Sequence, residues 1–368
     1  MKLRHFEALH PVCPVCKSRL QEDFPLKLGL EIRRDGERII EGVLQCPNDA
    51  CLYEYPILDG IPILAPDPRA YVADSIFHLL ARSDLSNEVE SMLGECCGPG
   101  STLDATRQQL SNYAWDHYGE LDPGESREGP RPGAVVQVLE RGVSLAENKL
   151  EGPVLDVGCS VGRSTFELAE RGDELVLGID LNFSMLRLAA EVLESQTVRY
   201  PRRRVGLIYD RRQFAARFDH SANVDFWACD AMALPFPSNT FGTAVSLNLL
   251  DCVHSPLAML HSLRDALHPG AHLLLASPYD WSGSTLPDTW IGGHSRRSLG
   301  QGSSEPVLRA LLTPGGHPVA VEGLEIVAEA DDVPWHVRVH DRNVATYRLH
   351  LVVARATETP PHSQDLDQ

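Results

Sequence analysis

The chain has 368 residues, a formal net charge of −18 at pH 7 and a pI near 5.2. That length exceeds one typical domain, and the acidic balance argues against non-specific binding to nucleic acid or to anionic membranes. No apolar run is long enough to span a bilayer, and the first residues lack the apolar core of a signal peptide. We therefore expect a cytoplasmic protein in which the nine cysteines are reduced or metal-bound rather than disulfide-paired.

Two pairs of cysteines mark the segment 1–66 as a small unit. Two residues separate Cys13 from Cys16 and four separate Cys46 from Cys51, which is the spacing of a tetrahedral four-thiolate zinc site. So small a unit needs a metal cross-link to fold, and four thiolates leave no open position for a catalytic water. We therefore expect structural zinc. A redox role for the first pair is the lesser alternative, because no thioredoxin-like pattern surrounds it.

The two cysteine pairs, together with the sequence Asp-Gly-Ile-Pro at 59–62, resemble a zinc-ribbon module. That module is found in small activators of tRNA methyltransferases and at the N-terminus of some ribosomal RNA guanine methyltransferases. The resemblance implies that the ribbon either binds RNA or a protein partner or only stabilises the fold.

Residues 67–150 are expected to be mainly helical and to form a lid or linker before the next unit. A glycine-rich break is predicted at 94–100. Three aromatic residues, Tyr113, Trp115 and Tyr118, lie close together near the end of the segment. The sequence leaves two roles open for each of them, packing within the lid and capping a ligand.

The main functional pattern of the chain lies at 152–180. The short apolar run 154–157 is typical of a buried parallel strand. A tight turn with Gly158 and Gly162 follows, and then a helix whose positive end points at the turn. A second buried strand ends on Asp180, whose carboxylate can accept two hydrogen bonds from a ribose diol. This order of strand, turn, helix, strand and acid is the first half of a doubly wound nucleotide site.

The spacing of the two glycines distinguishes between nucleotide sites. G-x-x-x-G differs from the G-x-G-x-x-G of dinucleotide sites, and no lysine follows the turn to hold phosphates as in a P-loop. With Asp156 before the turn, the pattern resembles motif I, D-x-G-x-G-x-G, of class I S-adenosylmethionine (SAM) methyltransferases. Ser160 replaces the middle glycine of that motif. An ordinary strand-to-helix turn of another α/β fold is the alternative.

The methyltransferase resemblance implies an α/β fold with a doubly wound, Rossmann-like sheet of seven strands beside the small zinc ribbon. The methyltransferase domain is expected at 151–356, and the polar stretch 357–368 is expected to be a disordered tail. In this family the acid after the third strand accepts from the adenine amino group, and the next backbone amide meets a ring nitrogen. The implied SAM-binding residues are Asp156, Gly158, Cys159, Ser160, Gly162, Asp180, Leu181, Asp230, Ala231 and Asn248.

A narrower resemblance involves stretches dispersed through the rest of the chain. They lie at 117–119, 156–164, 248–250, 277–281, 290–293 and 333–338. In this order they resemble the methyltransferase domain of ovothiol-biosynthesis enzymes, which methylates the imidazole of a thiolated histidine. The chain departs from those enzymes because it has no fused sulfoxide-synthase domain and adds the zinc ribbon. The resemblance implies N-methylation of a small molecule such as histidine or another imidazole or amino-acid derivative.

Candidate catalytic residues follow from this reading. Tyr118, Asp251 and Tyr279 are candidates to orient the acceptor by hydrogen bonds, and Arg338 is a candidate to hold its carboxylate in bidentate fashion. The predicted pocket walls are Trp281, Trp290 and Trp335. The protein's main task would be to position the acceptor and exclude water, because the cofactor is already activated.

The only basic run lies at 200–212, in an insertion before the third strand. A solvated loop is the default interpretation, and a contact for an anionic acceptor or RNA is the alternative. Two other functions therefore stay open beside the small-molecule enzyme. One is an RNA methyltransferase that grips nucleic acid with the ribbon and the basic run. The other is a non-catalytic SAM-binding protein that docks through its ribbon.

Overall fold

The computed structural model describes residues 1–126, 128–281, 289–293 and 295–358, so most of the predicted tail lies outside the described residues. Within these ranges the chain forms ten α-helices and thirteen β-strands. The helices are α1 (Leu3–Leu9), α2 (Pro14–Leu20), α3 (Pro68–Leu80), α4 (Asn87–Cys97), α5 (Thr102–Tyr118), α6 (Ala134–Leu145), α7 (Arg163–Ala169), α8 (Phe183–Ser195), α9 (Pro256–Ala266) and α10 (Glu305–Leu311). The strands are β1 (Lys27–Asp35), β2 (Arg38–Gln45), β3 (Glu54–Leu58), β4 (Ile61–Leu64), β5 (Val154–Val157), β6 (Val176–Asp180), β7 (Thr197–Val205), β8 (Ile208–Ala215), β9 (Val224–Cys229), β10 (Phe241–Leu247), β11 (Leu267–Ser277), β12 (Leu324–His340) and β13 (Asn343–Ala356). None of the described helices combines the length and the apolar character that a membrane crossing requires.

Eleven of the strands form one sheet, in the order β1-β2-β3-β4-β9-β6-β5-β10-β11-β13-β12. The strands from β4 to β11 in this order are parallel, and β13 lies antiparallel between β11 and β12. The chain leaves β5 toward β6 and β9 on one side and later continues through β10 and β11 on the other. This reversal confirms the doubly wound, Rossmann-like arrangement and puts the switch point at β5.

The sheet is larger than the predicted seven strands because the N-terminal segment extends its edge. All four residues of β4 are buried, and Ile63 and Leu64 pair in parallel with Ala228 and Cys229 of β9. A strand buried on both faces is stable only inside a covered sheet. The N-terminal strands therefore continue the methyltransferase-like sheet instead of standing apart from it.

Apolar side chains cover both faces of the sheet. On one face, α5 to α8 contribute buried residues such as Val138, Phe166 and Leu186. On the other face, α9 and α10 pack in one core with residues of the N-terminal helices, including Leu263 and Leu9. Covering by helices on both faces is what a mostly parallel sheet requires.

The C-terminal ribbon is a long antiparallel pair of strands. The segment 331–338 belongs to β12, which pairs with β13 as far as His340 and Asn343. The register of the β12–β13 pairing shifts between Ala330 and Val333, and Asp332 within this bulge has φ +55°. The bulge lets the strand bend while its pairing continues, so the ribbon reaches beyond the edge of the sheet.

The arginine-rich run is not a solvated loop. It folds into the antiparallel hairpin β7–β8, whose strands pair from Thr197 and Ala215 to Val205 and Ile208. Alternate side chains of the hairpin, such as Tyr200, are buried, and the arginines lie between them. A period of two residues is what a half-buried strand shows.

The turn glycine Gly162 gives the first prediction. It has φ +88°, and a Cβ built there would lie 2.7 Å from Phe226 and 2.8 Å from Ala189. We expect Gly162→Ala to lower the free energy of unfolding by about 2–4 kcal/mol, through the left-handed backbone and the steric overlap. Urea unfolding measures this difference in the free energy of unfolding. Gly172→Ala is the matched control, because its Cβ would meet nothing within 4 Å. Equal stability of the two variants would contradict the prediction.

Candidate active site

The glycine turn between β5 and α7 is folded against the tip of β6. Gly158 and Gly162 have φ of +77° and +88°, a region that glycine enters at little cost, and Ser160 adopts φ +52°. The N–H of Gly158 donates to the carbonyl of Ile179 at 2.8 Å. The N–H of Ser160 donates to Oδ2 of Asp180 at 3.0 Å. The serine that replaces the middle glycine is therefore held by this carboxylate.

Backbone amides bind both oxygens of the Asp180 carboxylate. Oδ2 accepts from Ser160, and Oδ1 accepts the N–H of Asn182 at 2.7 Å. Burial raises the pKa of this carboxyl, and the amide hydrogen bonds oppose that rise. Each oxygen keeps a further lone pair, so the carboxylate can still accept hydrogen bonds from a diol.

A second carboxylate, Asp156, fastens the helix after the turn to the first strand. Its Oδ2 accepts the hydroxyls of Ser164 and Thr165, each at 2.6 Å. Burial raises the pKa of Asp156 to about 6, against the effect of the two hydroxyl donors. The side chain thus combines a structural role at the start of α7 with a place on the wall of the cavity.

The turn, the tip of β6 and the end of β10 line a cavity of about 190 Å³. The predicted cofactor residues on its wall are Asp156, Gly158, Ser160, Asp180 and Asn248. Cys159, Gly162 and Leu181 are chain neighbours of wall residues, whereas Asp230 and Ala231 follow the neighbouring strand β9 and are not among the described residues of the wall. The carboxyl ends of the strands therefore bring the predicted set to one edge of the sheet, as in other open α/β sheets.

Four residues roof the cavity, Gln109, Tyr113 and His117 of α5 and Trp335 of β12. The sequence predicted Trp335 as a pocket wall and left ligand capping open for Tyr113, but it did not indicate Gln109 or His117. The three helical residues are four positions apart, which places them on one face of a helix. That spacing was readable in the sequence, but no local signal indicated that this face lies over the turn.

Two of these cavity residues carry buried polar atoms that have no hydrogen-bond partner among the described residues. One is Nδ1 of His117, and the other is Oδ1 of Asn248, which has φ +58° at the end of β10. Burial, followed by the nearby charge of Arg163, lowers the pKa of His117 to about 3, so this imidazole is neutral at physiological pH. Buried polar groups are normally satisfied, so both atoms are available to a polar ligand.

None of the four predicted catalytic residues is among the described residues of the cavity wall, and the side chains of two of them are engaged elsewhere. The hydroxyl of Tyr118 is fully buried and donates to the carbonyl of Val161 at 2.7 Å, so it supports the glycine turn from behind. The guanidinium of Arg338 is paired with Asp341 at the end of the ribbon. The expected roles in acceptor binding are corrected on this ground, because these groups are occupied elsewhere and neither residue lines the cavity.

The other two, Asp251 and Tyr279, lie after β10 and β11. Oδ2 of Asp251 accepts the N–H of Asp280 at 2.7 Å. Tyr279 has φ +56°, and its hydroxyl is 2.7 Å from Nδ1 of His350, which places it in a neighbouring depression. Burial raises the pKa of both side chains.

The three predicted wall tryptophans separate into two groups. Trp335 lines the cavity, whereas Trp281 and Trp290 stack on each other with ring centroids 6.0 Å apart. The stacked pair adjoins Tyr279, whose ring centroid is 6.1 Å from that of Trp281. Of the three tryptophans, only Trp335 therefore lies on the wall of this cavity.

The four cysteines of the N-terminal unit come together. Their Sγ atoms all lie within 4.8 Å of one another, with 3.7 Å between Cys13 and Cys51 and between Cys16 and Cys46. Thiolates bound tetrahedrally at about 2.3 Å from a zinc ion are about 3.8 Å apart, so the donor set and the spacing fit such a site. The hydroxyl of Tyr55, 3.1 Å from Sγ of Cys13, adds an outer contact.

Comparison with known proteins places the candidate site inside a recognised domain. Residues 155–275 match the family described as "Methyltransferase domain". Phosphoethanolamine N-methyltransferase 1 of Arabidopsis thaliana is 28% identical over 123 residues, which are 33% of this chain and 20% of that protein. O-methyltransferase cnsE of Penicillium expansum is 29% identical over 176 residues, which are 48% and 54% of the two chains.

Among solved structures, magnesium protoporphyrin IX methyltransferase from Synechocystis PCC 6803 with bound SAH is 17% identical. The aligned region covers 69% of this chain and 99% of that chain, with a TM-score of 0.37. The chain spans between a fifth and a third of the plant phosphoethanolamine N-methyltransferases that it matches. The family match and the curated relatives show that the chain carries a methyltransferase domain of the SAM-dependent class.

The buried imidazole of His117 predicts a pH dependence of stability. Its pKa is lowered in the folded chain, so unfolding takes up a proton below the ordinary value near 6.5. Its contribution is full above pH 6.5 and falls by up to about 1.4 kcal/mol per pH unit toward pH 3. We expect the stability advantage of wild type over His117→Gln to shrink between pH 7 and pH 4 in urea unfolding. The exposed His10→Gln is the control, and an unchanged advantage for His117 would contradict the prediction.

Proposed function

We propose that this chain is a SAM-dependent methyltransferase that methylates a nitrogen atom of a small molecule, such as histidine or another imidazole or amino-acid derivative. The observation that carries the proposal is the Asp180 carboxylate, fixed by two backbone amides at the rim of the cavity. A carboxylate in this position suits the two hydroxyls of a ribose and cannot accommodate a phosphate group.

The cofactor assignment extends along the edge of the sheet from Asp180. Asp230 and Ala231 follow β9 and would bind the adenine base, while Asp156 and Asn248 would face the amino-acid part of the cofactor. Oδ1 of Asp230 already accepts the N–H of Met232 at 2.9 Å, which holds the carboxylate in place. When bound, SAM supplies a methyl group on a positively charged sulfur. The chain has to hold that group and the acceptor in line and keep water out.

The electrostatics of the cavity favour a neutral or cationic acceptor. Neither a lysine nor an arginine is among the described residues of its wall, so a phosphorylated acceptor would find no cation there. Burial, followed by the charges of Asp280 and Asp251, raises the pKa of the nearby Tyr347 phenol. Burial also raises the pKa of Tyr113, with Asp180 and Asp251 among the smaller causes. An imidazole has an ordinary pKa near 6.5, so it offers a free lone pair at neutral pH without a strong base.

The RNA-binding alternative loses its main support in the basic run. Arg211 pairs with Glu90, Arg212 with Asp122 and Arg202 with Glu125. Cations that are already neutralised by carboxylates contribute little to the release of counterions from a phosphate backbone. The acidic net charge points in the same direction.

We further infer that Cys13, Cys16, Cys46 and Cys51 hold a structural zinc ion. The ion would join the start of α2 to the segment between β2 and β3. Cys16→Ser is expected to lose most of the bound zinc and to lower the melting temperature, because zinc binding is part of the folding free energy. Elemental analysis and calorimetry measure both quantities. The exposed Cys97→Ser is the control, and an equal zinc content in the two variants would refute the site.

The methyltransferase proposal is tested first by SAM binding. We expect Asp180→Asn to weaken binding at least about tenfold in isothermal titration, since it removes the negative charge at the ribose position. Asp173→Asn is the matched control, because the side chain of Asp173 is fully exposed. Equal affinity of Asp180→Asn and wild type would overturn the cofactor assignment.

The acceptor is tested with labelled SAM and a panel of methyl acceptors. The panel contains histidine and imidazole derivatives, other amino acids, phosphoethanolamine and bulk RNA. Label transfer to an imidazole or amine is the expected result. Transfer to RNA or to phosphoethanolamine alone would overturn the acceptor class, and SAM binding without transfer to any of them would support the non-catalytic docking protein instead.

A further inference from the structure

The roof helix α5 has two functional faces. Successive residues of a helix are about 100° apart, so positions separated by four share a face and the positions between them point away. The cavity face carries Gln109, Tyr113 and His117. The opposite face carries Asp104, Gln108 and Ser111, and each of them makes a hydrogen bond with the hairpin β7–β8.

The hairpin binds the opposite face of α5 directly. The N–H of Arg203 donates to Oγ of Ser111 at 2.8 Å, and its Nη1 donates to Oε1 of Gln108 at 2.8 Å. The hydroxyl of Tyr209 donates to Oδ1 of Asp104 at 3.1 Å. Ser111 and Asp104 are buried, so these hydrogen bonds are shielded from water.

A second group of contacts holds the preceding helix α4. The buried guanidinium of Arg107 lies 4.0 Å from the ring centre of Tyr209, and its Nε is 3.2 Å from Glu90 of α4. Arg211 of the hairpin pairs with the same Glu90 and donates to the carbonyl of Leu85 at 2.7 Å. The carboxylate of Glu90 thus bridges a cation of α5 and a cation of the hairpin.

The hairpin also holds the chain on both sides of the roof. Beyond α5, the Nε and Nη2 atoms of Arg212 donate to the two oxygens of Asp122 at 2.7 Å and 2.6 Å. At the end of the C-terminal ribbon, Arg202 and Arg204 approach Asp341 at 3.7 Å and 3.8 Å. The paired fork of a guanidinium and a carboxylate fixes orientation as well as distance.

We propose that the hairpin β7–β8 is a clasp that positions α5 over the cofactor cavity, and that its arginines act as positioning residues for cofactor affinity. The proposal rests on the proposed function, in which this cavity binds SAM. None of the hairpin residues is among the described residues of the cavity wall, so any effect on the cofactor must be indirect. A face that roofs a cavity cannot be packed with apolar side chains, and the polar contacts on the other face offset that loss.

The test compares Arg212→Gln and Tyr209→Phe with the exposed control Arg217→Gln. Arg212→Gln removes the contact to Asp122 after α5, and Tyr209→Phe removes the contact to Asp104 of α5, while the cavity residues stay intact. Arg217 is exposed and follows the hairpin in the chain. We expect the dissociation constant for SAM to rise about tenfold in Arg212→Gln and to stay unchanged in Arg217→Gln. In the double variant Asp122→Asn/Arg212→Gln, the rise in the SAM dissociation constant should be smaller than the sum of the two single-variant effects, because both substitutions break the same ion pair.

Hydrogen exchange of the free protein distinguishes positioning from general instability. Amides of α5 should lose protection in Arg212→Gln, while amides of β5 and β10 keep theirs, and saturating SAM should restore α5. Unchanged exchange in α5, or an equal loss throughout the sheet, would overturn the clasp. If wild type bound no SAM, the proposed function would fail, and the exchange of α5 in the free variants would still decide whether the hairpin holds the helix.

Discussion

The carboxylate of Asp180 is the contact on which the candidate site depends. It ends β6, and it accepts amides from Ser160 in the glycine turn and from Asn182 at the start of α8. The glycine turn and the junction of β6 with α8, two segments that lie apart in the chain, therefore meet at one anion. Burial disfavours the charge, and the two amides favour it, so the carboxylate stays in place because its hydrogen bonds are made. The shape of the turn, the start of α8 and the edge of the cavity all follow from this arrangement.

The cavity itself is a product of elements before and after the central sheet. The carboxyl ends of β5, β6 and β10 supply its floor, as the switch point of a doubly wound sheet does in general. Its roof comes from α5, α6 and the ribbon strand β12, which enclose the side chains of Tyr113, Val135 and Trp335. A reaction that needs water excluded from a reactive methyl group benefits from such a cover. Helices α5 and α6 and strand β12 thus lie at the same edge of the sheet as the glycine turn.

Charge is distributed in this protein by pairing rather than by patches. The chain carries a net charge of −18, yet its one arginine-rich run faces Glu90, Asp122, Glu125 and Asp341 of its own fold. Guanidinium groups suit such internal pairs because their planar donors match carboxylates in two directions. The run that resembled a contact for nucleic acid is therefore a structural element of the roof. The cysteine cluster of the N-terminal unit similarly brings together residues from two separate segments.

The sequence by itself determined the parts that depend on neighbouring residues. The strand, the glycine turn, the helix and the terminal Asp180 are encoded by periodicity, by φ requirements and by a short apolar run, and the cysteine spacing is a similar local property. Tertiary structure alone decided that β4 joins β9, that the hydroxyl of Tyr118 supports Val161, and that the arginines of the basic hairpin are paired with carboxylates. These contacts join residues up to about 165 positions apart, for example Ile63 and Ala228, and no local pattern specifies which distant partner a strand edge or a guanidinium meets. Packing of the two helical layers makes that choice, because it determines which polar groups are brought together and lose their water.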